Sequence, residues 1–178
     1  MIKNMRNKNI YHGSFCIVES PAADMGRNGK DFGKGFYTTT DKLQAVSFAK
    51  LKAKREQRSV GILNIYHLSD LQKLSVHEFE NADENWLNCI VGFRNRKYSY
   101  LANPYRDYDV LIGKIADDDT SLVINAYMIG AYGEIGTPNA VKNAISLLRT
   151  DRLKNQICFK NHYAVERLSF LRYEEYPV

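Results

Sequence analysis

Apolar and polar residues alternate with the two-residue period of a strand at several separated places in this chain, with helical spacing between them. Val60 to Leu68 is the clearest strand: Ile62, Asn64, Tyr66 and Leu68 point one way, and Leu63, Ile65 and His67 the other. Residues 10–18 (interrupted at Gly13-Ser14), Phe36 to Thr39, Tyr108 to Ala116, Asn155 to Lys160 and Leu168 to Tyr173 share its β-branched and aromatic character. Lys73 to Phe79 reads as extended. Thr40 or Asp41 caps a helix whose apolar content is Leu43, Ala45, Val46, Phe48, Ala49 and Leu51, and Asp83 caps one carrying Trp86, Leu87, Ile90, Val91 and Phe93. A third helix is expected over Thr120 to Ala131, with Leu122, Val123, Ala126, Ile129 and Gly130 on one side. A fourth runs from the Thr137-Pro138 cap to Leu148. Arg94 to Tyr108, rich in tyrosine and arginine, reads as a long surface loop. Asp117-Asp118-Asp119 reads as a capped turn in preference to a metal site.

Strands and helices are irregularly mixed, and most strands stand too close together for crossover helices. This order predicts an α+β fold with a largely antiparallel or split sheet. At 178 residues the chain fits one well-buried core, so residues 1–178 are read as one domain.

Composition changes this picture little: 44% hydrophobic and 25% charged residues are ordinary for a globular domain. No segment approaches the apolar length that spans a bilayer, and the polar, basic N-terminus is not a secretory signal, so no membrane partner is expected. Cys16, Cys89 and Cys158 are widely separated among apolar neighbours and read as reduced core thiols of a cytoplasmic protein. None has metal-ligand spacing to another cysteine or to a histidine, so no metal is expected. A net charge of +5 permits an anionic partner without demanding one. The densest basic run, Lys50, Lys52, Lys54, Arg55 and Arg58, reads as the solvated end of a helix.

Candidate chemistry concentrates in Asp31-Phe32-Gly33-Lys34-Gly35-Phe36-Tyr37-Thr38-Thr39, a glycine turn feeding directly into a strand. Its Asp-Phe-Gly triplet is shared with protein kinases, but none of the other kinase motifs accompanies it, and that reading is discarded. Ile10-Tyr11-His12-Gly13-Ser14 is a similar half-motif, an apolar run carrying a histidine into a turn.

Tyr11-His12-Gly13-Ser14, then Gly33-Lys34-Gly35-Phe36-Tyr37 leading into a helix, then Asn155-Gln156-Ile157-Cys158-Phe159, resemble the three signature strands of the ADP-ribosyltransferase fold. They match its histidine–tyrosine–glutamate branch, which includes diphtheria-type toxins and poly-ADP-ribose polymerases. The chain also resembles, from about residue 10 to residue 173, a bacterial family known only as a domain of unknown function and found beside a small partner in toxin–antitoxin-like pairs. Asp109-Val110-Leu111-Ile112-Gly113-Lys114-Ile115-Ala116-Asp117-Asp118 supplies a further element of that family's pattern.

The resemblance implies a split antiparallel β-sheet core with flanking helices, NAD as co-substrate, and mono-ADP-ribosyl transfer to a protein or nucleic-acid acceptor. It also implies a small antitoxin protein as partner. By that resemblance the Gly13 backbone binds the nicotinamide amide, His12 hydrogen-bonds a ribose hydroxyl, Tyr37 stacks on the nicotinamide and Phe48 closes the sandwich. Ser14, Gly35 and Phe36 complete the cofactor-binding set, and His12, Tyr37 and Gln156 are the catalytic set. Gln156 stands where the branch carries a catalytic glutamate; a neutral amide positions the sugar but brings no charge to a cationic transition state. A catalytically weak or inactive NAD- or ADP-ribose-binding or protein-interaction module is therefore the alternative. Glu134 and Glu166 are the nearest other carboxylates by sequence.

Overall fold

A strand with apolar side chains on both faces needs a layer on each side, and Val60–Leu68 has both. In the computed structural model, which describes residues 5–26, 28–116, 118–148 and 153–178, this strand (β3) is the centre of a three-stranded sheet. It pairs antiparallel with β1 (Lys8–Ser14) on one side and β7 (Leu168–Pro177) on the other. A second sheet has the order β2 (Phe36–Thr38), β6 (Asn155–Phe159), β5 (Val110–Lys114), β4 (Val76–Glu78). All its pairings are antiparallel except β4 with β5. One bridge, in which Tyr11 and Thr39 exchange both backbone hydrogen bonds at 2.9 Å, joins the sheets.

Alternation then assigns every face. Ile10, Tyr66 and Leu68 from the first sheet meet Phe36, Val110, Ile112, Ile157 and Phe159 from the second in a shared core. The opposite faces of the same strands look outward. Leu63 and Ile65 are covered by α1 (Lys42–Arg55). Leu111 and Cys158 are covered by α2 (Glu84–Arg94), α3 (Asp118–Met128) and α4 (Pro138–Ser146). Four layers result, helix, sheet, sheet, helices, with α5 (His162–Val165) closing one side of the inter-sheet core through Ala164 and Val165.

Capping follows the sequence closely. Asp41 Oδ1 accepts from the Gln44 amide, and Asp83 Oδ1 from the Trp86 amide, both at 3.0 Å. Thr137 instead donates its hydroxyl to the Glu134 carbonyl, leaving Pro138 to start α4.

Four expectations are corrected. The buried face of α1 is Gln44, Ala45, Ala49 and Ala53, while Leu43 is 74% exposed, because only small side chains allow the helix to lie directly on the sheet at Gly13 and Gly61. On α3 the seated face is Thr120, Ile124 and Tyr127 at helical spacing, and Leu122 and Ile129 face solvent. The segment after α2 is no loop: Arg96–Tyr105 winds into 3-10 turns that bury Ala102 and Tyr105. Cys16 is exposed, beyond the end of β1, whereas Cys89 and Cys158 are buried. Asp117, of the acidic triplet, lies outside the described residues.

Candidate functional site

The three motif pieces fall on strands that follow one another in space: β1 carries His12, β2 carries Tyr37 and β6 carries Gln156, with β1 bridged to β2 and β2 paired to β6. Their side chains divide between two faces. His12 lies on the Ile10 side of β1, toward the inter-sheet core, and stacks on Phe36 with ring centroids 4.5 Å apart. Its Nδ1 donates to the Tyr37 carbonyl at 2.6 Å, which fixes the tautomer and leaves Nε2 as an acceptor. Burial, helped by the nearby Lys52 cation, lowers the imidazole pKa to about 3, so it is neutral at physiological pH.

Tyr37 turns the other way, as the residue after Phe36 must. Its ring packs against the helix-covered core beside Cys158. The hydroxyl donates to the Gly33 carbonyl at 2.7 Å and accepts from the Phe32 amide at 3.0 Å. Burial raises its pKa well above the ordinary value. Gly33 takes φ +79°, and an added Cβ there would lie 2.6 Å from the Phe93 ring, so the turn over Tyr37 requires glycine.

Gln156 shares the Tyr37 face, two residues from Cys158 on β6. Its Nε2 donates to Asp31 Oδ2 at 2.7 Å. Asp31, only 8% exposed, also receives Arg94 Nε and Nη2 on Oδ1, at 3.0 and 2.5 Å, and the Ala116 amide on Oδ2 at 3.2 Å. A carboxylate therefore stands beside residue 156 after all, supplied by the glycine motif. Glutamate at 156 would face Asp31 as a second negative charge; glutamine offers it a donor. Glu166 is paired with His162 at 2.9 Å on exposed α5, and Glu134 is exposed before α4; neither joins this network.

Gly13 faces α1 so closely that a Cβ would lie 2.1 Å from the Ala45 carbonyl oxygen. Its backbone points to the same edge as that of Tyr11, beyond the last bridge to β2, and its carbonyl accepts from Lys52 Nζ at 2.7 Å. Lys52 follows Ala45 by seven residues and Ala49 by three, which puts it on the inward face of α1 and not on the solvated end expected for it. Burial lowers its pKa to about 8. Phe48, four residues before Lys52 on the same face, is 37% exposed. Ser14 is buried with its hydroxyl 3.7 Å from Cys16 Sγ, and Gly35 packs against Cys158 and Phe159.

Two cavities lie elsewhere. One of about 530 Å³ is lined by residues that include Lys34, Lys160, Asn161 and His162, and one of about 390 Å³ lies between the glycine turn and the start of the 3-10 segment. Asp109 has a structural task, accepting from the Ser75 amide at 2.7 Å and from Asn161 Nδ2 at 2.5 Å. Among the described residues no group of three or more His, Cys, Asp or Glu side chains is arranged to hold a metal ion.

The sequence reading gave no site role to Asp31, Arg94 or Lys52. Asp31 was visible as the one carboxylate inside the glycine motif, and Lys52 as a lysine in register with Ala45 and Ala49. Nothing in the sequence marks Arg94 as their neighbour.

A family model described as "Protein of unknown function (DUF3990)" matches residues 8–170. No curated protein and no solved structure matches the chain.

Proposed function

We propose that this chain, which belongs to the DUF3990 family of proteins of unknown function, is an NAD-dependent mono-ADP-ribosyltransferase with a split-sheet ADP-ribosyltransferase core. The observation that carries the reading is the order of adjacent strands β1, β2 and β6, which carry the motif residues His12, Tyr37 and Gln156 from separate parts of the chain. NAD supplies the ribosyl group: the bond between nicotinamide nitrogen and ribose C1′ breaks, the electron pair leaves with nicotinamide, and an acceptor nucleophile bonds to C1′ as it loses its proton.

The residues fit this substrate unevenly. His12 Nε2 is an acceptor suited to a ribose hydroxyl, the Gly13 backbone lies on a strand edge, and Phe48 offers an exposed ring on the neighbouring helix face. The Asp31 carboxylate, held against Gln156, is the charge that favours the cationic transition state, weakened by its Arg94 partner. Tyr37 and Gln156 reach a substrate only when residues 31–33 withdraw from them.

That cover favours a second reading, an inactive module of the same fold, in which the Tyr37 and Gln156 hydrogen bonds serve packing alone. The purified chain incubated with labelled NAD and cell lysate separates the two. Transferase activity predicts labelled acceptor, reduced at least about tenfold in His12→Ala, on the scale of one lost catalytic contact. Calorimetry that finds NAD affinity without any labelling supports the inactive module. Equal labelling by the wild-type chain and the variant refutes the proposed role of His12.

A further inference from the structure

Neither reading uses the run Arg96-Lys97-Tyr98-Ser99-Tyr100, in which cations and aromatic rings interleave, nor Arg106 at its end. This run opens the 3-10 segment and forms one wall of the 390 Å³ cavity through Arg96 and Ser99, with Arg106 beside them. The glycine turn contributes Lys34, and Lys160 arrives from the end of β6. Four cationic side chains from three parts of the chain thus line one cavity, and no carboxylate is among the described residues that line it.

Two of the cations are held in place. Lys160 Nζ donates to the Tyr105 and Arg106 carbonyls at 3.0 and 2.8 Å and lies 4.9 Å from the Phe93 ring centroid. Arg106 donates to Asn103 Oδ1 and the Ser99 carbonyl, and its guanidinium also covers the Phe93 ring. Lys34 and Arg96 are exposed, and neither has a hydrogen-bond or ion-pair partner among the described residues. Fixed cations with further exposed cations beside them, and no acid among the described residues lining the cavity, form a site for anions. Burial lowers the Lys160 pKa, which an anion at the site would reverse.

Shape selects among anions. The cavity is open to solvent, and two of its cations, Lys34 and Lys160, also line the 530 Å³ cavity, so the cations stand on an accessible surface and not around an enclosed pocket. Asp24, in the larger cavity, is the one carboxylate among the described residues that line the two. Tyr100, next to Ser99, is 56% exposed. An open cluster of cations, in a segment where Arg96 and Lys97 are followed by Tyr98 and the exposed Tyr100, matches a chain of phosphates carrying stackable bases better than it matches an acidic peptide.

We propose that this groove binds single-stranded nucleic acid, with backbone phosphates on Lys34, Arg96, Arg106 and Lys160 and a base on Tyr100. The site stands whether or not the chain transfers ADP-ribose.

Fluorescence anisotropy of the full chain with a labelled oligouridylate of about twelve nucleotides tests it, with salt varied from about 50 to 200 mM. Four single-strand phosphate contacts predict a slope of log K against log salt near about −3. Lys34→Glu/Arg96→Glu should weaken binding at least about tenfold with an unchanged circular dichroism spectrum, while Lys54→Glu/Arg55→Glu, the same charge change on the exposed end of α1, should weaken it less than about threefold. The proposal is overturned by absence of binding at the lowest salt, or by equal losses in the two double variants. It is overturned equally by oligoglutamate of the same length binding as tightly, or by millimolar ADP or NAD displacing the oligonucleotide, which would make the groove a nucleotide pocket.

Discussion

His12 and Asp31 each hold a proton-linked or charged group in a place where the fold leaves it little freedom. The His12 imidazole takes up its proton at about pH 3 in the folded chain and at its ordinary 6.5 when unfolded. Between those values the unfolded chain binds more protons, so folding stability falls as pH drops through that window, by up to about 1.4 kcal/mol per pH unit. Urea denaturation of wild type and His12→Gln at neutral pH and near pH 4.5 checks this: the wild type should lose stability more steeply, and parallel losses would refute it. Lys52 works in the opposite pH range. Its folded pKa of about 8 lies below the ordinary 10.5, so the stability linked to this group rises with pH between the two. Asp31 and Arg94 form a buried pair whose side chains are 10% and 16% exposed. Removing one partner strands the other charge, and Arg94→Ala should cost about 3 kcal/mol in chemical denaturation. Asp31→Asn strands the Arg94 charge in turn and, with one acceptor oxygen for the two that Asp31 uses, should cost a similar amount.

At the scale of elements, the decisive contact is α1 on the first sheet. Ala45, Ala49 and Ala53 bring the helix against Gly13 and Gly61, where an added Cβ would lie 2.1 Å and 2.6 Å from helix backbone atoms. Gly13→Ala must push α1 outward and should lower stability by about 2–3 kcal/mol, the range for overpacked cores. The same shift would displace Lys52 and Phe48. Phe48→Ala, which leaves the helix seat intact, should change stability by less than about 1 kcal/mol while weakening any NAD binding seen by calorimetry. The helix itself was legible from its Asp41 cap and basic end, but its buried face was not. Apolar residues occur around the whole cylinder, and the sheet's demand for close approach selects alanines over Leu43 and Leu51. α3 repeats the lesson, with Ile124 and Tyr127 seated while Leu122 and Ile129 remain outside. Asn64 in β3 is a further case: wholly buried, it accepts from the Val18 amide at 2.8 Å and donates to the Cys16 carbonyl at 3.1 Å, holding the loop after β1. Asn64→Leu leaves both backbone groups without that partner and should cost about 2 kcal/mol in denaturant unfolding.

Across the whole molecule, the positions of strands, caps and glycine turns were set by the sequence, because periodicity, capping side chains and glycine act over a few neighbouring residues. So were the three motif pieces carrying His12, Tyr37 and Gln156. Strand order and facing were decided by the tertiary structure. Only when β2 pairs with β6 and one bridge ties it to β1 do the three residues come onto adjacent strands, and only then does alternation put His12 between the sheets and Tyr37 with Gln156 beneath the helices. Long-range pairing likewise brings Asp31 to Gln156 and Arg94, and gathers Lys34, Arg96, Arg106 and Lys160 around one groove. Those contacts join residues far apart in the chain, where no local period records which side chain will be opposite which; the packing of four layers settles it.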